Sequence, residues 1–221
     1  MANLYGPRIV TDGLVLHLDA GNRKSYPLSG NTIYDLSGNG NNGTFGASTA
    51  APTFSGDNGG SLVFGGNDYV DLGNSLITGN NSFSWGCWIK PSSFAGTPVF
   101  LGTNSNGQAM VSYWDHLNNK VRVGVWGSDK LTSGTTIMPS TIGYTFWTWN
   151  GTILTAYTNG STDGTATGFS FNISSSYTRI GSAISSQYFN GSIFQVSIYN
   201  KALSANEVQQ NYNALKGRFG L

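Results

Sequence analysis

The chain has 221 residues, nearly half of them Gly (31), Ser (27), Asn (23) or Thr (21), and eleven Lys/Arg stand against ten Asp/Glu for a net charge of +1. Without a basic run there is no surface to track a phosphate backbone, so nucleic acid is not expected as a partner. One cysteine, Cys87, excludes an intrachain disulfide scaffold.

A composition this rich in small polar residues often marks disorder. Here 29 aromatics are spread through it in regular alternation, which points to an all-β chain with many turns. Residues 1–13 lack a basic segment followed by a long apolar one, so no signal peptide is read and synthesis in a cytosol is expected. No apolar stretch approaches the length of a membrane span. Residues 14–18 alternate, with Leu14, Leu16 and Leu18 on one face and His17 opposite. The run SGNGNNG at 37–43 reads as tight turns, because Asn and Gly tolerate positive φ. SLVF at 61–64 and YVDLG at 69–73 flank Gly65-Gly66-Asn67-Asp68 as a predicted hairpin. Over 82–90, Phe83, Trp85, Cys87 and Ile89 face one way and Trp88 and Lys90 the other.

Further strands are predicted at 98–102, 109–114, 120–126, 144–149, 152–158, 177–181 and 192–199, with Asn150-Gly151 as a type I′ turn. The longest loops are expected at 103–108 and 127–143. In the last strand Phe194, Val196 and Ile198 are predicted to share a face. Ser204 and Glu207 then stand in capping-box relation, Val208, Tyr212 and Leu215 recur at helical spacing, and Gly217 is placed as the stop. One domain of about a dozen antiparallel strands, closed as a two-sheet jelly roll with one short C-terminal helix at about 204–216, is the expected architecture.

Seven segments resemble, in order, the laminin-G-like, concanavalin-A-like jelly roll common in bacteria and phages. They are GLVLHLDAG (13–21), YDLSGNGNNGTF (34–45), SLVFGGNDYVDLG (61–73), SFSWGCWIKPS (82–92), TWNGTILTAYTNGS (148–161), YTRIGS (177–182) and the ending from Asn190. The start and the NYNALKGRFGL ending further resemble small virion proteins of tailed phages, particularly of marine cyanobacteria. The resemblance implies a virion structural protein on capsid or tail, with a lectin-like, carbohydrate-binding domain. Its partners would be other virion proteins and glycans of the host surface, and a homo-oligomer would suit a repeated particle. The alternative is a stand-alone lectin module.

The resemblance also implies calcium at a loop edge, with Asp19, Asp35 and Asn41 as ligands; otherwise Asp35 caps its turn and Asp19 ends its strand. Family members often carry Asp-Glu where this chain has Phe194-Gln195, which removes an acidic contribution. Glycosidases of this architecture use two nearby carboxylates, typically glutamates. Glu207 is the only glutamate and it is accounted for as a helix cap, so no enzyme is expected. Asp68 and Asp71 are the one close aspartate pair, and Asp71 is read as facing solvent. For sugar contact the candidates are Trp114 and Trp126, with Tyr113 and Trp88 behind them; the competing role for each is core packing or a subunit interface.

Overall fold

A computed structural model describes residues 8–92, 98–104, 110–125, 128–174, 177–183 and 187–221. Sixteen strands are present among them: β1 (Leu14–Asp19), β2 (Thr32–Ile33), β3 (Gly43–Phe45), β4 (Thr53–Ser55), β5 (Ser61–Gly65), β6 (Val70–Asp71), β7 (Phe83–Pro91) and β8 (Val99–Asn104) lead the chain. They are followed by β9 (Met110–Asp115), β10 (Lys120–Val125), β11 (Ser128–Thr136), β12 (Gly143–Trp149), β13 (Leu154–Thr158), β14 (Ser161–Ala166), β15 (Tyr177–Ile180) and β16 (Asn190–Tyr199). The helix α1 spans Ala205–Leu215.

The first sheet runs β14-β13-β12-β7-β16-β5-β4, with β1 also paired to β16, and the second runs β11-β10-β9-β8-β15-β6-β3-β2. Every pairing is antiparallel, as the all-β jelly-roll reading expects. The alternation of β7 is realised in full. Phe83, Trp85, Cys87 and Ile89 enter the core between the sheets, while Trp88 packs on the opposite side under the helix. Across the core, the Trp85 indole N–H donates to Ser112 Oγ at 2.7 Å, tying β7 to β9. At the β11 and β14 edges, Asp163 stitches the sheets together, accepting from the Thr135 amide at 2.9 Å and the Thr158 hydroxyl at 2.6 Å.

Several local expectations change. The segments at 61–64 and 69–73 form no hairpin, because β5 belongs to the first sheet and β6 to the second. Residues 66–69 cross between sheets, and the Asp68 carboxylate accepts the Gly65 amide inside that crossing. Most of the stretch read as a long loop at 127–143 is the edge strand β11, and β14 was likewise unseen. Edge strands of Ser, Thr, Asp and Gly carry no alternating apolar face to reveal them. At Asn150-Gly151 only Gly151 has positive φ (94°), so the turn is not type I′. Instead, Asn150 Oδ1 accepts the amides of Thr152 and Ile153.

In β16 the register shifts between Ile193 and Gln195. This bulge adds one residue and rotates Phe194 to the helix-covered face, away from Val196 and Ile198. The capping box forms as read, Ser204 accepting the Glu207 amide and Glu207 the Ser204 amide. The α-helix ends at Leu215 with Lys216 as its C-cap, just before Gly217 as expected, and a 3-10 turn then continues over Lys216–Phe219 and ends at Gly220, whose φ is 71°. That extra turn brings Phe219 onto Trp88 and Phe194.

Candidate functional site

The helix covers much of the first sheet's outer face, so the outer face of the second sheet is where polar and aromatic groups meet solvent together. Apolar inward residues of that sheet include Ile33, Phe45, Val70, Val121, Val123 and Ile180. Their neighbours along each strand must point outward. On β9 and β10 these are Tyr113 and Arg122, directly opposite each other, and Asp115 opposite Lys120.

Arg122 organises this corner. Its Nη1 donates to Asp129 Oδ2 at 2.7 Å and its Nη2 pairs with Asp115 Oδ2 at 2.6 Å. The Tyr113 hydroxyl donates to Asp129 Oδ1, also at 2.7 Å. Asp115 additionally accepts the Leu117 amide and the Asn118 side-chain amide. Burial pushes the Asp115 carboxyl up, but the Asn118, Leu117 and Arg122 donors together hold it below the usual aspartate value. Burial, and then the bond to Asp129, push the Tyr113 phenol up to about 12, so it stays a donor. The group is therefore a planar ring and a planar guanidinium, held by the carboxylates of Asp115 and Asp129.

A second polar group lies on the same face. Arg179 pairs with Gly102 of β8 on one side and Asp71 of β6 on the other, and Gly102 pairs with Val111 of β9. Its Nε donates to Asp71 Oδ2 at 2.9 Å, while its guanidinium carbon sits 4.3 Å from the ring centres of both Tyr69 and Tyr177. Between the two groups, Val99, Val111 and Ala183 form a small buried apolar patch. Gly102 is required there, because a Cβ would come within 2.6 Å of the Ala183 Cβ.

Of the three described residues expected to touch sugar, Tyr113 alone is half-buried on this face. Trp126 lies outside the described residues. Trp88 and Trp114 are at most 1% exposed and offer no ring face to a ligand. Trp88 is sealed by Tyr212 and Phe219, and Trp114 sits in the core with its N–H on the Ile137 carbonyl. Asp71, Tyr69, Tyr177, Arg179, Arg122 and Asp129 were not singled out as binding residues. The alternation of Tyr177 and Arg179 against the inward Ile180 carries the only sequence signal for that part of the group.

The expected calcium ligands do not fit a cation. Asp35 turns its oxygens to the His17, Ser37 and Asn41 amides and the Ser37 hydroxyl. The Asn41 side-chain amide donates to the Val15 carbonyl. Asp19 Oδ1 faces the Arg218 guanidinium at 2.6 Å, where a cation would meet a like charge. A hard ion needs converging oxygens free of donors. Calcium at 1 mM and excess chelator are therefore expected to give melting temperatures within about 1 °C of each other, whereas a site filled to 100 times its Kd would add about 2.7 kcal/mol. Differential scanning fluorimetry checks this.

His17 sits beside these turns, its Nδ1 3.0 Å from Ser197 Oγ, and burial lowers its pKa against the pull of Asp19 and Asp35. It is half-buried. Cys87 is buried, and desolvation raises its thiol well out of the nucleophilic range.

Comparison with solved structures finds the same fold in distant proteins. Domain 4 of AbnA, an extracellular GH43 arabinanase from Geobacillus stearothermophilus solved in complex with arabinotriose, is 18% identical with a TM-score of 0.74, over 90% of this chain and 98% of that one. Trypanosoma rangeli sialidase in complex with the inhibitor DANA is 13% identical with a TM-score of 0.67, over 95% of this chain but 34% of the sialidase. The receptor binding domain of botulinum neurotoxin type G is 14% identical with a TM-score of 0.65, over 91% of this chain and 51% of that domain. At these identities the likeness is one of fold. Among curated protein sequences none matches significantly. The Laminin_G_3 family model, described as the concanavalin A-like lectin/glucanases superfamily, matches residues 64–209, and with two antiparallel sheets packed face to face the chain belongs to that family.

Proposed function

We propose that this protein is a non-catalytic carbohydrate-binding module that presents the outer face of its second sheet to a glycan. The observation that carries the reading is the Tyr113–Arg122–Asp129 group, in which a ring, a guanidinium and a carboxylate are held in place by mutual hydrogen bonds on a half-exposed surface. Sugars are recognised by such pre-positioned planar and polar groups, because little freedom is left to lose on binding. The arabinotriose-bound domain and the toxin's receptor binding domain support recognition as a use of the same architecture.

Carboxylate chemistry supports the non-catalytic part. Glu207 is committed to the helix cap and to Lys201 at 2.8 Å. A glycosidase acid must hold a proton near neutral pH. Asp115 is pulled the other way, and Asp115 and Asp129 are both ion-paired to the same arginine.

The particle setting, as a decoration, fibre or adhesion domain of a tailed phage, is supported by the resemblance of the sequence to small virion proteins. Detection of the chain in purified particles tests that part; its absence from them overturns it.

A glycan array followed by titration calorimetry tests the binding face. Tyr113→Ala is expected to weaken the best ligand about tenfold, the equivalent of about 1.4 kcal/mol, while Tyr113→Phe stays within about threefold because the ring remains. Unchanged affinity in Tyr113→Ala would move the site elsewhere. Release of new reducing ends from the bound glycan would overturn the non-catalytic reading.

A further inference from the structure

Three arginines among the described residues form ion pairs, and they spend their donors differently. Arg218 uses every edge: Nη1 on Asp19, Nη2 on the Gly59 and Gly60 carbonyls, and Nε on the Asn58 carbonyl. Arg122 commits one Nη to each of two aspartates. Both have their Nη groups committed to partners within the chain.

Arg179 is built otherwise. Its guanidinium carbon lies over the rings of both Tyr69 and Tyr177, each ring centre 4.3 Å away. Its Nε edge is taken by Asp71, whose other oxygen accepts the Gly73 amide. What remains is the terminal edge carrying Nη1 and Nη2, for which no described residue supplies an acceptor. The side chain is still 21% exposed. Two rings and a carboxylate thus hold the guanidinium, and no described residue takes its two-pronged end. A planar or tetrahedral oxyanion is the ligand such a fork matches, since two oxygens can accept two parallel N–H groups.

Resting on the glycan-binding reading above, we propose that Arg179 is a specificity residue that makes this face select sugars bearing a carboxylate or sulfate group. Asp71, Tyr69 and Tyr177 are its positioning residues. Among the described residues Asp71 is the charged group paired with Arg179, and Tyr188 is a further titratable neighbour of Tyr177. The Asp71 charge limits how strongly any anion is drawn in, so selectivity arises from the geometry of the fork more than from net charge.

The test is titration calorimetry on the full chain at about 50 mM salt, with a uronic-acid oligosaccharide, a sulfated oligosaccharide and the neutral counterpart of each. Wild type is expected to bind at least one acidic series tenfold or more tightly than its neutral counterpart, and the two acidic arms distinguish carboxylate from sulfate. Arg179→Gln is expected to erase that preference while neutral affinity stays within about threefold. Arg179→Lys should recover only part of it, because an ammonium keeps the charge and lacks the fork.

Asp71→Asn guards against an Arg179 variant that fails to fold. It removes the opposing charge and is expected to strengthen acidic binding threefold or more without changing neutral binding; a merely structural clamp predicts no such gain. Equal affinity for acidic and neutral sugars in wild type overturns the proposal, as does a preference that survives in folded Arg179→Gln. Equal or tighter binding of a single-stranded oligonucleotide overturns it in favour of a generic anion site. If neutral sugars bind and depend on Tyr113 while Arg179→Gln changes no preference, the inference falls and the glycan-binding reading stands. If no sugar of either kind binds, both fall.

Discussion

Replacing Trp88 with alanine is expected to lower the melting temperature by roughly 6–20 °C and to free the C-terminal helix from the sheet. Trp88 is fully buried on the outer face of the first sheet. It lies nearly parallel to Tyr212 at 5.4 Å, 5.1 Å from Tyr144 and 4.5 Å from Phe219. Truncating a buried tryptophan costs about 3–5 kcal/mol, and in a domain of this size each kcal/mol moves the midpoint about 2–4 °C. The indole N–H has no partner among the described residues and is buried, so it adds nothing favourable to offset its desolvation. Trp88→Phe keeps the packing and discards that N–H, and is expected to cost less than about 2 kcal/mol. Thermal unfolding by near-ultraviolet dichroism measures both, and limited proteolysis within 205–221 reports the helix. A shift under 2 °C in Trp88→Ala would mean that the helix is held by its cap and loop instead.

Gly181→Ala is the second large loss, at about 2–5 kcal/mol. Gly181 follows β15 directly and has φ of 83°, which a residue with a Cβ adopts only at a cost. An added Cβ would also lie 2.3 Å from Phe64 Cε1 and 3.0 Å from the Asp68 carbonyl. Backbone strain of about 1–3 kcal/mol and overpacking of similar size therefore act together. The backbone here is pinned on both sides, Gly181 donating to the Phe100 carbonyl and accepting from the Phe189 amide. Movement at 181 carries directly into Arg179 two residues earlier, so this variant is expected to lose acidic-sugar preference along with stability. Chemical denaturation measures the first and calorimetry the second; a stability loss below 1 kcal/mol would show that the turn can reorganise.

How much of this was legible follows from the type of pattern each element carries. β7 was readable residue by residue, because both of its faces are buried and its apolar side chains alternate without interruption. The capping box was readable because it is local: Ser204 and Glu207 sit three residues apart whatever else the chain does. The edge strands β11 and β14 were not, since strands of Ser, Thr, Asp and Gly with much of their length exposed look like loops. Phe194 was assigned to the wrong face because a one-residue bulge inverts the count beyond it, and nothing in FQVSIY announces the bulge. The Arg179 clamp joins Asp71 to a residue 108 positions away, a separation that no periodicity spans.

By itself the sequence determined that strands dominate, that one capped helix closes the chain, and that a single glutamate is spent on that cap, because these depend on alternation, spacing and residue count. Only the tertiary structure decided which aromatic residues meet solvent. Trp88 and Tyr113 both point outward from their sheets on alternating strands, and their sequence contexts do not separate them. The difference is that the C-terminal helix lands on the first sheet's outer face and buries Trp88, while Tyr113 remains half-exposed on the second. Alternation tells which side chains share a face; what covers that face depends on contacts between segments far apart in the chain.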